Sequence, residues 1–187
     1  MSSMPAAFKK ALDNVSASSA GGAPFLIAYG LTFIVSGSLT FFLPREISAL
    51  VAMFQGVVAL PLAFWLEKRM GSEERDPKSP LNALSAQMAM SQALALPALI
   101  VAYNVNPGMI PVLLASLGGV HFFPYAWLHR TGHYAALGII LSVGAFLIQI
   151  LLGSDAYAVI LFYVGLVYWI SAPVLHRHAK RLVAKTS

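Results

Sequence analysis

The chain has no cysteine and very little charge. Its 187 residues include 12 Lys and Arg and 7 Asp and Glu, so charged residues make up 10% of the total. Without cysteine there is no disulfide framework, no thiol nucleophile and no cysteine metal site. Soluble domains carry about 25% charged residues, and this chain cannot cover a water-facing surface. Its 58% hydrophobic residues and mean hydropathy of +0.74 indicate that most of its surface faces lipid.

The apolar runs also lack the residues that carry chemistry. No Asp, Glu, Lys or Arg lies deep within a run, although such residues mark pumps and ion-coupled transporters. Motifs for phosphate binding, zinc proteases and serine nucleophiles are missing. Two histidine pairs are closely spaced, His129 with His133 and His176 with His178. Neither pair has a third ligand nearby in sequence, so they are interpreted as interfacial histidines. The sequence predicts no metal and no cofactor, and favours a non-enzymatic protein.

Six apolar runs, each near the ~20 residues that span hydrocarbon, predict an all-α integral membrane bundle with six transmembrane helices. The runs are 24–43, 46–66, 81–102, 107–128, 133–152 and 155–175. Pro24, Pro80 and Pro107 suit the first turn of a helix, where a missing N–H costs nothing. A β-barrel would need alternating polarity, which these runs do not show.

Short polar segments flank this predicted 24–175 domain. Residues 1–23 form an N-terminal segment and 176–187 a basic tail. One helical stripe in the first segment contains Met4, Phe8, Leu12 and Val15. It fits either a short helix on the inner leaflet or a frayed tail. Ser16–Gly22 is rich in small residues and is predicted to be a flexible linker.

Lysine and arginine collect on one side of the predicted topology. Eleven of the twelve lie on the side of both termini: Lys9, Lys10, Lys68, Arg69, Arg75, Lys78, Arg130, Arg177, Lys180, Arg181 and Lys185. Arg45 alone lies on the other side. Because cytoplasmic loops carry the excess of Lys and Arg, both termini are predicted to be cytoplasmic. Trp65, Trp127 and Trp169 lie at the same ends of their runs, where indole rings act as interface anchors.

The net charge of +5 raises the question of an acidic partner. The basic residues flank apolar runs, so the predicted partner is a bilayer with anionic inner-leaflet lipids. Nucleic acid is not predicted, because no basic face lies outside the membrane.

His121 is the ionisable residue that lies well inside a run. Together with Tyr125 and His129 it forms a stripe at i, i+4 and i+8. Pro124 removes a backbone hydrogen bond and predicts a kink. In one interpretation the stripe lines a cytoplasm-facing cavity, with His121 and Tyr125 as ligand contacts. In the other, His121 is neutral and bonds a carbonyl or glutamine of another helix.

Amide side chains supply the remaining polar groups of the spans. Gln55, Gln87, Gln92 and Gln149 are costly to leave unpaired in hydrocarbon, so they are expected to face the bundle interior, as interhelical bonds or as solute contacts. Pro61 and Pro97 predict two further kinks, in the second and third runs.

Two motifs carry a resemblance to a known family. They are Ser79-Pro80-Leu81-Asn82, followed by a third run containing Gln92, and the segment from Gly119 to Leu128, which reads GVHFFPYAWL. Over about residues 24–175 the chain resembles a family of bacterial multi-pass membrane proteins with a domain of unknown function. The resemblance implies a bacterial cytoplasmic membrane and draws attention to His121, Tyr125 and Asn82, but it implies no activity.

Three functions remain open on these observations. The leading hypothesis is a small transporter or channel-like protein for a neutral or weakly charged solute, based on the His121 stripe, the kinks and the glutamines. The second is an accessory subunit, or a homo-oligomer, that packs on a partner membrane protein. Its candidate contact surfaces are the small faces at Gly30, Gly37, Gly138, Gly144 and Gly165. The third is an intramembrane enzyme that uses His121 as a base.

Overall fold

The computed structural model describes residues 5–71, 73–76 and 78–184. Met4 and Lys185, which entered the predictions above, lie outside them. The described chain forms nine α-helices: α1 (Ala6–Ser18), α2 (Ala23–Leu39), α3 (Arg45–Phe54), α4 (Gly56–Met70), α5 (Pro80–Ser91), α6 (Leu96–Val105), α7 (Ile110–Leu128), α8 (Gly132–Leu152) and α9 (Ala156–Val183). No strand occurs in these residues, which confirms the all-α prediction.

Five stretches of the described chain are long and apolar enough to cross a membrane. They are Ala20–Leu39, Arg45–Met70, Pro80–Val105, Pro107–Leu128 and Gly132–Leu182. The fifth has 51 residues and contains both α8 and α9, which a short 3-10 turn at Gly153–Asp155 separates. The hydroxyl of Tyr163 on α9 donates to the carbonyl of Ile140 on α8 at 2.5 Å, so α9 folds back along α8.

Two glycine crossings hold the packed part of the bundle together. On α2 and α9, a Cβ on Gly165 would lie 2.9 Å from the Gly30 carbonyl oxygen. On α7 and α8, a Cβ on Gly138 would lie 2.5 Å from the Gly119 carbonyl oxygen. Small residues at such points let helix backbones approach closely, and dispersion between the helices then replaces their contacts with lipid. The glycine faces that the accessory hypothesis gave to a partner are therefore occupied by helices of the same chain.

Two of the membrane-length stretches are broken near their middle. The second changes from α3 to α4 at Gln55, and the Gln55 carbonyl accepts from the amides of Val58 and Ala59. This break precedes Pro61, which lies inside α4. The third stretch has a 3-10 turn at Ala93–Ala95, directly before the first turn of α6, where Pro97 needs no N–H partner.

The N-terminal segment is part of the bundle. Helix α1 buries Leu12 and Val15, which pack against Leu81 and Leu128. The linker interpretation of Ser16–Gly22 is wrong, because Ser16, Ala20 and Gly21 are buried. Gly21 has a φ of +66°, and a Cβ there would lie 2.6 Å from the Leu175 carbonyl oxygen. The small residues of this segment allow close packing against α9. In the sequence alone, the same small residues indicated a flexible linker.

The last helix, α9, ends later than the predicted sixth run. Helix α9 runs from Ala156 to Val183 and contains Pro173. It therefore extends past the predicted span end at residue 175 and takes in most of the basic tail. Helix α7 ends at Leu128 as predicted, and like α9 it contains a proline, Pro124, without being divided into two helices.

Helices α5 and α6, which we call the third stretch, lie at the edge of the bundle. Only 6% of its most apolar window is buried, against 50% for the first stretch and 33% for the stretch containing α7. Leu81 and Leu99 are its buried apolar side chains. The third stretch is thus the least attached part of the transmembrane fold.

Candidate functional site

The predicted stripe on α7 forms a column of aromatic rings. The centroids of His121 and Tyr125 are 5.0 Å apart, and those of Tyr125 and His129 are 5.9 Å apart. Tyr134, on α8, extends the column: its ring lies 5.1 Å from His129 and 5.8 Å from Tyr125. The structure therefore brings the three stripe residues together, and a tyrosine from the next helix closes one side.

The other side of the stripe faces the third stretch across what we call the seam. Two hydrogen bonds cross it. Gln92 Nε2 donates to the Leu117 carbonyl at 3.0 Å, and the Tyr125 hydroxyl donates to the Ser85 carbonyl at 2.9 Å. Leu117, His121 and Tyr125 follow one another at i, i+4 and i+8 on one helix face. His121 therefore lies between the two points at which α5 is bonded to α7.

His121 itself is half-buried and forms no hydrogen bond within the described residues. Its ring contacts are with Phe122 and Tyr125. The bonded, structural interpretation expected a carbonyl or glutamine partner, but the nearby amide of Gln92 is bonded to Leu117. A neutral imidazole offers one donor and one acceptor, and both remain available at the seam.

The opposite face of α7 is fixed. Gly119 faces the Gly138 backbone and the Ser142 hydroxyl on α8. Phe122 is buried, with its ring 5.6 Å from Tyr134 and 5.8 Å from Tyr168. The side of His121 that faces α8 and α9 is therefore densely packed, and the side that faces α5 and α6 is the less buried one.

A second polar group lies at the end of the bundle where α1 docks. Arg130 donates to Asp13 at 2.9 Å, and the Ser16 hydroxyl lies 3.0 Å from His129 Nδ1. His178 Nε2 donates to the His129 carbonyl at 3.1 Å. We call these five residues the α1 network. They join α1, the α7–α8 turn and α9 at one point.

His129 is the buried centre of the α1 network, with a relative exposure of 2%. Burial, with a smaller contribution from nearby His178, lowers the pKa of His129 to about 3. The imidazole is therefore neutral at pH 7. His129 is thus enclosed by the protein, and its predicted position at the membrane interface stays a prediction. No pattern in the sequence indicates the α1 network, because Arg130 and its acceptor Asp13 are 117 residues apart in the chain.

Asparagine side chains hold the loop between α4 and α5 against α1. Asn14 Nδ2 donates to the Glu73 carboxylate at 3.0 Å and to the Glu74 carbonyl at 3.2 Å. Asn82 Nδ2 donates to the Asp76 carbonyl at 2.7 Å. Asn82 therefore fixes the loop that leads into α5, and its hydrogen bond is made within that loop and not to the His121 stripe.

The remaining glutamines lie in different surroundings. Gln55 is buried at the α3–α4 break, and its Oε1 has no partner within the described chain. Gln149 donates to the Gly153 carbonyl at 2.9 Å. Gln87 is exposed on α5, so the expectation that every in-span glutamine faces the interior is wrong for this residue. The third stretch is too loosely attached to enclose all its polar groups.

The tryptophans are about half exposed, and each has a local contact. Arg69 lies over the Trp65 ring, 4.4 Å from its centroid. Trp127 lies 6.1 Å from Phe8 of α1, and Trp169 Nε1 donates to the Ile27 carbonyl at 3.2 Å.

Over the described residues, no three His, Asp or Glu side chains are grouped so that they could hold a metal ion.

Fold and site together define a class: a membrane-type helical bundle with one weakly attached helical stretch beside a histidine stripe. The chain belongs to DUF7010, a family of unknown function, whose model matches residues 8–178. This confirms the resemblance to a domain of unknown function. The matched region includes most of α1 and reaches His178, so it covers both ends of the α1 network. Comparisons with curated proteins and with solved structures find no match.

Proposed function

We propose that the chain crosses a bacterial cytoplasmic membrane six times, with both termini in the cytoplasm. Helices α8 and α9 then form separate spans within the fifth apolar stretch, and the other four stretches contribute one span each. The excess of Lys and Arg at the end where α1 docks supports this orientation. Arg45, at the opposite end, lies 5.6 Å from the Tyr157 ring centroid and bonds the Ser154 carbonyl.

Within this topology we propose a small transporter or channel-like protein for a neutral or weakly charged solute. The observation that carries the proposal is the unpaired imidazole of His121 at the seam. A polar group inside a membrane is expensive to leave without a partner and is commonly functional. Here the helix that would cover it is the one least buried against the bundle.

The seam supplies the chemistry that a neutral solute requires. His121 offers one donor and one acceptor, and the Gln92 amide and Tyr125 hydroxyl lie on its two sides. If the bonds to Leu117 and Ser85 open, these groups can exchange their bonds for bonds to the solute. These three groups are themselves uncharged, which suits an uncharged cargo better than an ion.

Solute flux tests this proposal directly. Proteoliposomes are challenged with osmotic gradients of uncharged amides and polyols, and swelling is followed by light scattering. We expect His121→Ala to lower the protein-dependent rate about tenfold, the effect of losing one hydrogen bond of about 1.4 kcal/mol. His133→Ala is the matched control, since that side chain is exposed. Equal rates for the wild type and His121→Ala contradict the proposal.

A second candidate, an accessory subunit, is favoured by one observation. Gln87 is exposed on the lipid-facing side of α5, and an amide in hydrocarbon gains from a partner helix. The third stretch would then be the docking surface on another membrane protein or on a second copy. Cysteine cross-linking of the chain to a neighbouring protein or to a second copy tests it. The rate at Gln87→Cys is compared with the rate at Val143→Cys, an exposed position on α8. Retention of a single-chain band at both positions argues against this candidate.

A further inference from the structure

An open groove lies away from the seam, where the beginning of α2, the end of α4 and residues 169–176 of α9 meet. Its volume is about 450 Å³. Ile27, Met70, Trp169 and Ala172 supply apolar walls, and His176 lies at one end. The groove is at the same end of the bundle as the α1 network, because Met70 is the last residue of α4 and Ala23 the first of α2.

The walls of the groove are held in place by the core. Trp169 is fixed by its bond to the Ile27 carbonyl at 3.2 Å, and its ring lies against Gly30. Ala23 and Ala172 are buried at the base. Because these two side chains are small, they do not fill the space beside the indole ring, and this space is the groove. The shape therefore follows from the packing of α2 on α9.

The polar end of the groove has an unmet hydrogen-bonding group and a positive surrounding. Nδ1 of His176 is buried and has no partner in the described chain. Lys180 follows His176 by one turn on the same stripe of α9, and Lys68 lies in the last turn of α4. The nearest acidic residue along α4, Glu67, is bonded to Arg75 at 2.6 Å. Glu67 is thus already paired, and none of the residues that line the groove is acidic.

We propose that this groove binds an anionic phospholipid. One acyl chain lies along Ile27, Trp169 and Ala172, while the phosphate accepts hydrogen bonds from His176 and Lys180. The apolar walls fit a hydrocarbon chain, and the two nitrogen groups fit a phosphate at the level where tryptophan rings meet the headgroups. This is a specific site, separate from the seam, and it goes beyond the proposed transport function.

Trp169 is a reporter already built into the groove. The variant Trp65→Phe/Trp127→Phe keeps it as the sole tryptophan. Its fluorescence is measured in two kinds of mixed bilayer. In one, phosphatidylglycerol carries the quenching bromine and phosphatidylcholine does not; in the other, phosphatidylcholine carries it and phosphatidylglycerol does not. Quenching in such mixtures gives the relative binding constant of the two lipids next to the indole. We expect phosphatidylglycerol to be favoured by about fivefold or more, the factor for one cation near a phosphate.

Charge variants separate the site from general attraction to the surface. His176→Ala/Lys180→Gln is expected to bring the relative binding constant at Trp169 close to one. Arg177→Gln, an exposed position off the groove stripe, removes one charge and is expected to leave the constant unchanged. Equal quenching by the two lipids in the wild-type groove overturns the proposal. So does a preference that survives the double substitution, or one that Arg177→Gln lowers equally.

Discussion

The α7–α8 hairpin and the third stretch lie side by side but are attached to the bundle in different ways. The hairpin crosses at Gly119 and Gly138, with backbones close enough that a single added carbon would meet a carbonyl oxygen at 2.5 Å. The third stretch has 6% of its window buried, and two side-chain hydrogen bonds link it to α7. Two elements that are both largely apolar are thus attached to different degrees: the hairpin by close backbone packing, and the third stretch by little burial and two side-chain hydrogen bonds.

The difference shows what attaches a helix to its neighbours in a small membrane bundle. Lipid tails are as apolar as leucine, so apolar side chains alone do not fasten a helix to its neighbours. Close glycine crossings and hydrogen bonds provide attachment, and the third stretch has few of either. His121 lies at this boundary, with one side on the fixed column and the other on the weakly attached helix.

The largest effect is expected from filling the hairpin crossing. Gly138→Ala places a carbon 2.5 Å from the Gly119 carbonyl oxygen, and the backbones must separate. We expect a loss of about 2–3 kcal/mol in the free energy of unfolding, measured in detergent. Gly132→Ala on the same helix has open space and is expected to change it by less than about 0.5 kcal/mol. An equal loss in both variants contradicts the packing account.

Acidification should weaken the docking of α1. His129 has its pKa lowered to about 3 by burial, while an unfolded histidine titrates near 6.5. The unfolded state therefore binds the proton first, and stability falls as pH drops below 6.5. Between pH 7.5 and 5 we expect a loss of about 2 kcal/mol, measured by chemical unfolding.

Two variants separate His129 from other titrating groups. His129→Gln should flatten the dependence on pH over this range, although it lowers stability at pH 7.5. His133→Ala, which removes an exposed histidine, should keep the dependence. A wild-type protein that is equally stable at pH 7.5 and 5 shows that His129 is not a buried neutral group.

The ion pair between α1 and the α7–α8 turn should contribute less. Asp13→Asn leaves Arg130 without its carboxylate, and the Arg130 side chain is 34% exposed, so water compensates in part. We expect a loss of about 1 kcal/mol, seen as faster proteolysis of α1. The exchange Asp13→Arg/Arg130→Asp should recover part of it. An exchange variant that digests faster than either single variant argues against a direct pair.

The smallest effects are expected on the third stretch. Gln92→Leu removes the bond to the Leu117 carbonyl and should lower stability by about 0.6–1 kcal/mol. Gln87→Leu, on the exposed side of the same helix, should leave the free energy of unfolding within about 0.5 kcal/mol. Thermal unfolding in one detergent compares the two. A larger loss for Gln87→Leu shows that α5 is oriented differently.

Sequence was sufficient for the helices because each membrane helix satisfies its own backbone hydrogen bonds, and an apolar run of the right length therefore marks it. The stripe of His121, Tyr125 and His129 was also predictable from helical spacing. The positions of the breaks were less predictable. Pro61 indicated a kink in the second run, and the helix changes at Gln55, six residues earlier, because a proline disturbs the turn that precedes it.

Contacts between distant segments were not predictable. Asp13 reads as a solvated residue of a polar segment, and Ser16 as part of a linker. Their partners are in a turn more than 110 residues away, and one sequence contains no record of that pairing. The prediction that Gln87 faces the interior was wrong for a related reason. The cost of an unpaired amide in hydrocarbon indicates that the amide needs a partner, but it does not indicate that the partner belongs to the same chain.

The central claim, that water and solute reach His121 through the seam, is tested most directly by cysteine labelling. Met88 of α5 is half-buried and packs, like Tyr125, against the cluster that contains Leu81 and Leu128, which places it near the seam. The chain has no native cysteine, so Met88→Cys, His121→Cys and Val120→Cys can each be labelled with a membrane-impermeant maleimide in cells and in inverted vesicles. We expect positions 88 and 121 to react from one side of the membrane, and position 120, which is 69% exposed on the outer surface of the bundle, to face lipid and not to react. Protection of all three from both sides would contradict it and make His121 a packed, structural residue.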